Sequence, residues 1–450
     1  MVTIWLVIIT ITFLLCIKRT SYACCCLLVT RILIPECVRL TPLVDVSLNT
    51  AIIAVLIFGL IRDIIVNNLF KEVFIKNRYV RCLLLFMIIW ILVMPFSSYM
   101  DFEDQRGVWF QFLITDIVPA IIFLVSIRTK EDLLLILKSL LIICFVNTLY
   151  GVLTIIMGAN PYVFIINRIY SQRDFERDLF DATLSVRGNI PTTSSTFQHS
   201  NGWGYFLPIT FVLFFYINTL RTKYFNHNIL LIIQVLLSIC VLLSGKRSAL
   251  ISYASFWILY FILASSKQKE TIIKWSVIGI SIGLVLLIFV PQLSKISTLL
   301  ETSIFFWDDK GLAKTDVGGS TWDLRVDQLF YPWTIISDNL LLGNGFGWCN
   351  VYIKKFELHP ILYGFETILS TAVLEGGVLG CLLWSLLFIK SYKYSIISSN
   401  LRMWPLLFTF TQVVIAVATG FSYFIFYGIY IVVFSKLFLL NENINRYSHV

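Results

Sequence analysis

Arginines confined to the stretches between apolar runs are the residues in this chain best equipped for chemistry. Arg168, Arg173, Arg177 and Arg187 lie in 158–200, and Arg325 lies in 294–364. Lys246 and Arg247 occupy a tight connection, Ser244-Gly245-Lys246-Arg247-Ser248. A guanidinium is a rigid fork of donors that meets phosphate oxygens two at a time, so several together would hold a lipid pyrophosphate headgroup. Taken singly, each also reads as a solvated loop charge or an anchor for anionic lipid. Arg247 stands apart, because so short a turn between apolar runs leaves little room for a generic loop residue. Among the 4 histidines, His359 is placed to act as a general base near neutral pH, although a lone loop histidine is often just polar surface. Glu366 opens the apolar run after 294–364, where an acceptor hydroxyl could arrive at the lipid–water boundary.

The elements that must position these residues are membrane spans. Hydrophobic residues make up 58% of the 450 and charged residues only 14%, far from the roughly half and quarter of soluble proteins. With a mean hydropathy of +0.85, this excludes a disordered chain, a disulfide-stapled secreted domain and a nucleic-acid reader. Most cysteines sit inside apolar runs, and no Cys/His cluster has metal-ligand spacing. Runs near the ~20 residues a span needs occur at Val2–Ile17, Tyr22–Val38, Leu43–Ile61, Val80–Met100, Gly107–Ile127, Leu133–Met157, Asn201–Leu220, Asn228–Ser244, Ser248–Ser265, Thr271–Leu293, Phe365–Ile389, Leu401–Thr419 and Phe421–Leu440. The expected fold is an all-α polytopic integral membrane protein of about 12–13 transmembrane helices, in a single domain over 1–450.

Positive-inside bias then sets orientation. Connections carrying Lys18/Arg19, Arg62 to Arg81, Arg128/Lys130, Arg221/Lys223, Lys267/Lys269 and Lys390/Lys393 fall on alternate sides of the spans, so all can be cytoplasmic together. Two long segments, Gly158–Ser200 and the larger Ser294–Gly364, then face outward, as does the Lys246–Arg247 turn. Val2–Ile17 lacks a basic region before it and reads as a retained span. Acids inside the apolar runs, Asp45, Asp116 and Glu375, are costly at depth and carry either function or a polar contact between helices. Asp101, Glu103 and Asp104 could bind a divalent metal or simply be a solvated loop. No GxxxxGK[ST], HExxH or GxSxG is present, and Gly343-Asn344-Gly345-Phe346-Gly347, with no strand before it, reads as a tight turn.

Three stretches together resemble the O-antigen polymerase and O-antigen ligase superfamily. They are Thr196-Phe197-Gln198-His199-Ser200-Asn201-Gly202-Trp203-Gly204, Leu243-Ser244-Gly245-Lys246-Arg247-Ser248-Ala249, and Arg325 running through Asp338–Gly347 to Glu375-Gly376-Gly377-Val378-Leu379-Gly380. The match covers roughly 185–390. It implies a metal-independent, glycosyltransferase-C-like enzyme of the bacterial inner membrane with no cofactor. Its donor and acceptor would be undecaprenyl-pyrophosphate-linked oligosaccharides at the periplasmic face, and a chain-length regulator would be a candidate partner. By position, Arg247 and Arg325 would act on the donor pyrophosphate, joined by Lys246, Arg187, His359 and Asn201 in substrate binding. In the ligases a His-Asn pair opens the span after the large loop. Here that place reads Gly364-Phe365-Glu366-Thr367, with His359 out of register, which favours the polymerase and makes Glu366 the acceptor-side candidate. The ligase and a lipid-linked oligosaccharide flippase are the alternatives. The flippase is disfavoured by lopsided external loops and the lack of an evident repeat.

Overall fold

The computed structural model describes residues 2–35, 38–40, 43, 46–96, 102–170, 185–187, 190–197, 200–270, 273–274, 322–356, 359–362, 364–365, 367–396, 401–419 and 424–440. Among them the regular secondary structure is helical apart from one small hairpin and an isolated bridge between Arg39 and Ser47. The N-terminal half supplies α1 (Val2–Lys18), α2 (Thr20–Leu33), α3 (Leu48–Val66), α4 (Arg78–Val93), α5 (Phe102–Phe112), α6 (Val118–Ser126), α7 (Lys130–Met157) and α8 (Pro161–Tyr170). A π-helical turn, Leu113–Ile117, joins α5 to α6. The antiparallel hairpin β1 (Ser185–Arg187) and β2 (Ile190–Thr192) pairs Arg187 with Ile190. There follow α9 (Ser200–Thr219), α10 (His227–Leu243), α11 (Arg247–Leu263), α12 (Trp322–Ile335), α13 (Trp348–Phe356), α14 (Ile368–Ser395), α15 (Met403–Thr419) and α16 (Phe424–Lys436).

Five stretches, Leu48–Val66, Arg78–Phe96, Phe102–Ser126, Lys130–Met157 and Ile368–Ser395, are long and apolar enough to cross a membrane, and six shorter helices are also apolar. Each expected apolar run overlaps helical residues, Thr271–Leu293 only at 273–274, the rest of that run lying outside the described residues. The helices begin where local chemistry can satisfy their free amides. Ser47 caps α3 through Thr50 N–H, Asn77 caps α4, and Thr129 with Asp132 forms a capping box on α7.

Two helices form the centre. Every residue from Gly202 to Phe214 of α9 and from Phe424 to Phe434 of α16 is buried, as expected of helices apolar on all sides. Thr210 and Tyr430 share a hydrogen bond of 2.9 Å across this pair. The surrounding helices turn apolar faces outward: Ile142 and Ile156 of α7 are 61% and 75% exposed, and Ile229, Ile232 and Val235 of α10 are also exposed. In water such a belt would drive aggregation, whereas in lipid it is the ordinary outer surface. Long apolar helices and an apolar girdle mark a membrane-associated chain.

Candidate functional site

The Lys246–Arg247 turn is built by three small residues. Helix α10 ends with Ser244 Oγ donating to Val241 O (2.8 Å) and accepting from Lys246 N–H (3.3 Å). Gly245 takes φ +61°, a left-handed conformation that glycine adopts without a Cβ clash, and α11 starts at once with Arg247. The stem of Lys246 lies against α9 at Gly204. A Cβ there would sit 3.2 Å from both Lys246 Cβ and Cγ. Asn201, exposed, lies one turn earlier on the same helix.

The chain reaches α9 through a buried plug, Thr193–Phe197. Thr193 N–H donates to Leu243 O at the end of α10 (3.3 Å), which ties the hairpin bearing Arg187 to the Lys246–Arg247 turn. Thr193 and Thr154 share a 2.6 Å hydrogen bond, and Ser195, at φ +51°, donates to Asn147 O (2.6 Å). Asn147, fully buried in α7, organises the rest. Its Nδ2 donates to Thr196 Oγ1 (2.7 Å), its Oδ1 accepts from Trp203 Nε1 (2.7 Å), and Thr196 Oγ1 donates to Ile32 O of α2 (2.6 Å). Asn160 Nδ2 binds Ser195 O (2.8 Å). The plug's polar groups, costly if buried unpaired, are thereby met by α2, α7 and α10 and by Asn160 just before α8.

A second group surrounds the C-terminal half of the long loop. Helix α14 is broken at Gly377 (φ +54°), and the segment Leu340–Gly345 replaces the hydrogen bonds the break removes. Asn344 and Gly345 donate to Leu374 O and Glu375 O (2.8 and 3.0 Å), while Val378 and Leu379 donate to Leu340 O and Leu341 O (3.0 and 3.1 Å). Gly343, Gly345 and Gly347 all have positive φ, so this stretch is a turn, as expected. The buried Glu375 carboxyl meets the backbone N–H groups of Gly347 and Cys349 at the start of α13. Asp116 acts likewise: its Oδ1 accepts from Ile425 N–H (3.1 Å) in the first turn of α16. Both described intramembrane acids thus sit at the N-terminus of another helix, where a negative charge is favoured.

His359 belongs to this second group and is a turn cap. Its Nδ1 accepts from Ile361 and Leu362 N–H (3.1 and 3.0 Å), and its ring is packed among Tyr331, Tyr352 and Phe365. Burial pushes it below the ordinary histidine range. Arg325 lies in the first turn of α12, the helix whose Gln328 donates to Leu362 O (3.4 Å) in the same turn. Glu366, His199 and Asp45 fall outside the described residues.

The site residues therefore form two groups, Arg187, Asn201, Lys246 and Arg247 in one, Arg325 and His359 in the other. The start of α16 touches both. Phe426 lies against Phe197 and Phe206 (6.3 and 4.9 Å between centroids), and Phe424 lies against Phe112, which in turn meets Phe346 (5.8 Å each). Sequence reasoning missed Asn147, an amide within an apolar run, and the break in α14, for which Gly376-Gly377 was the available signal. No protein-family model matches the chain, and no curated protein matches it either.

Proposed function

We propose that the protein is a membrane-integral glycosyltransferase, an O-antigen polymerase with 12–13 spans and a glycosyltransferase-C-like fold. It would join undecaprenyl-pyrophosphate-linked repeat units at the periplasmic face of the bacterial inner membrane. The observation that carries the reading is convergence. The hairpin of Arg187 and the first turn of α9 with Asn201, close in sequence, meet the more distant Lys246–Arg247 turn at one end of the bundle, joined by Thr193–Leu243 and Gly204–Lys246.

In this reading the guanidinium groups of Arg247 and Arg325 hold the donor pyrophosphate, with Lys246, Arg187 and Asn201 orienting it. The acceptor hydroxyl attacks the anomeric carbon. A new glycosidic C–O bond forms, the C–O bond to pyrophosphate breaks, and the hydroxyl proton passes to a base, for which Glu366 is the candidate. The leaving group gains negative charge as the bond breaks, and fixed cations lower that barrier. The burial of His359, with Nδ1 occupied by two backbone amides, favours the polymerase over a ligase that needs a free histidine.

The test is gene deletion in the native strain, complemented with wild type, Arg247→Ala, Arg325→Ala and His359→Ala at matched expression, with lipopolysaccharide run on a gel. The polymerase predicts core bearing a single repeat unit in the deletion, rescued by wild type and His359→Ala but by neither arginine variant. Core with no added sugar would point to the ligase or flippase. An unchanged ladder in both arginine variants would overturn the assignment.

A further inference from the structure

Helix α12 is apolar on two sides. Tyr331 and Ile335, with Ile336 just beyond the helix, pack with Val373 and Leu374 of α14. On the other side Leu329, Phe330 and Trp333, spaced to share one helical face, are all exposed, Phe330 by 68%. A loop helix standing in water turns a polar face outward, so a second apolar face calls for a partner. The lipid-facing surface of α14 leads to it. Val378, Leu382 and Leu386 form an exposed stripe on α14. The N–H groups of Val378 and Leu379 donate to Leu340 O and Leu341 O (3.0 and 3.1 Å), which sets Leu340 and Leu341, 50% and 63% exposed, at the end of that stripe.

The length of α14 gives the depth. Val378–Ser395, the part after the break at Gly377, rises about 27 Å at about 1.5 Å per residue, no more than the ~30 Å of a hydrocarbon core. With Lys390 and Lys393 marking one membrane surface, Leu340 and Leu341 therefore stand no higher than the opposite boundary, and any tilt of α14 only lowers them. Irregular backbone at that depth needs partners, and the amides of Gly343, Asn344 and Gly345 donate to Asn339 O, Leu374 O and Glu375 O (2.8, 2.8 and 3.0 Å).

We propose that α12 lies in the membrane–water interface, with Leu329, Phe330, Trp333, Leu340 and Leu341 against phospholipid acyl chains. The lipid-facing belt thus continues past the break in α14 onto the long loop, and 294–364 does not stand wholly in water. Trp333 suits the place, because an indole meets acyl chains with its ring and headgroup water with its N–H. On the proposed function, this also brings the first turn of α12, with Arg325, to the boundary at which a lipid-borne pyrophosphate is presented.

The test uses the full-length wild-type protein in nanodiscs of phosphatidylethanolamine and phosphatidylglycerol, doped with a phospholipid that carries an aryl diazirine on its acyl chain. After illumination, adducts are mapped by mass spectrometry. Trypsin releases Val326–Lys354 as one peptide, which also contains the exposed Asn350 as an internal polar control. Yields at Leu329, Phe330, Trp333, Leu340 and Leu341 should come within about threefold of those at Leu382 and Leu386, since both surfaces meet the same chains, and roughly tenfold above Asn350. Labelled Leu382 and Leu386 beside yields on α12 no higher than at Asn350 would overturn the proposal. A second measurement places benzoylphenylalanine at Phe330. Crosslinks to lipid support the interface, whereas crosslinks to 271–321 of the same chain, or to a second copy, would show that protein covers this face and would overturn it. Neither measurement needs catalytic activity, so failure here is distinct from failure of the proposed function.

Discussion

The two ends of the bundle are held together by different chemistry. At the end carrying the α1–α2 and α6–α7 connections, charge is tied to charge. Arg62 reaches Asp63 (2.7 Å) and caps Cys16 O and Ile17 O (2.6 and 2.7 Å), while Arg19 pairs with Asp132 (2.8 Å). At the Arg247 end the contacts that fix the Thr193–Phe197 plug and the Lys246 stem are neutral: amide to hydroxyl, hydroxyl to carbonyl, indole to amide, methylene against glycine. The contrast teaches that the first end uses its cations as structural fasteners. At the second, the plug and the Lys246 stem are fixed by groups that carry no charge, so that part of the scaffold can be strengthened or weakened without changing the charge of the turn.

The largest expected effect follows from that division. On the proposed function, Arg247→Ala removes a cation from the developing pyrophosphate charge and should lower polymer formation by a factor of about 10² or more, with little change in melting temperature. Arg62→Ala should do the reverse. It leaves Asp63 with only the Thr20 hydroxyl and two helix-end carbonyls without their donor at a part-buried site, costing about 3 kcal/mol of stability, while the folded fraction keeps its activity. Thermal unfolding in detergent beside a polymerisation assay separates the two. Should Arg62→Ala abolish activity in folded protein, or Arg247→Ala unfold it, the comparison between the ends fails.

Much of the fold was legible because a membrane helix announces itself by a local property, a run of apolar residues, and the helix boundaries follow nearby caps such as Asn77 and Thr129. The Lys246–Arg247 turn was legible for the same reason, being an interruption between two such runs. What escaped depends on partners distant in sequence. Gly377 breaks α14 at little cost because Leu340 and Leu341 supply the missing acceptors. Asn147 is tolerable in an apolar run because Trp203 and Thr196 arrive from beyond the hairpin. The burial of His359 was equally hidden, since Tyr331 and Tyr352 come from two other helices. Glu375 and Asp116 were readable as costly acids, but that each meets the start of another helix is a tertiary fact.

Within the neutral end, the comparison sharpens into a ranking. Asn147→Ala strands the Trp203 indole N–H and loosens Thr196 and the plug, which should cost about 2 kcal/mol and speed amide exchange through 193–197 while exchange around Arg62 stays constant. Gly204→Ala should cost about 1 kcal/mol, because the new methyl meets Lys246 Cβ and Cγ at 3.2 Å, so the turn must give by a few tenths of an ångström. A loss from Gly204→Ala as large as that from Asn147→Ala would mean that the close approach of α9 to the turn, and not the plug, holds this end together.

The smallest effect is a local one set by pH at His359. In the closed turn Nδ1 accepts two backbone N–H groups and burial disfavours the imidazolium, so the ring binds a proton less readily than an open turn whose histidine titrates near 6.5. As pH falls below 6.5 the open form gains protons that the closed form refuses, and the turn's stability drops until pH passes the lower value of the closed state. After correction for intrinsic rates, exchange at the Ile361 and Leu362 amides should therefore quicken from neutral pH downward, while the plug amides at 193–197, which face no titrating ring in the described contacts, stay flat. His359→Asn, whose side-chain oxygen can still accept, should remove the pH dependence and keep most of the protection. A profile that stays flat in the wild type would show that the ring does not act as the neutral acceptor.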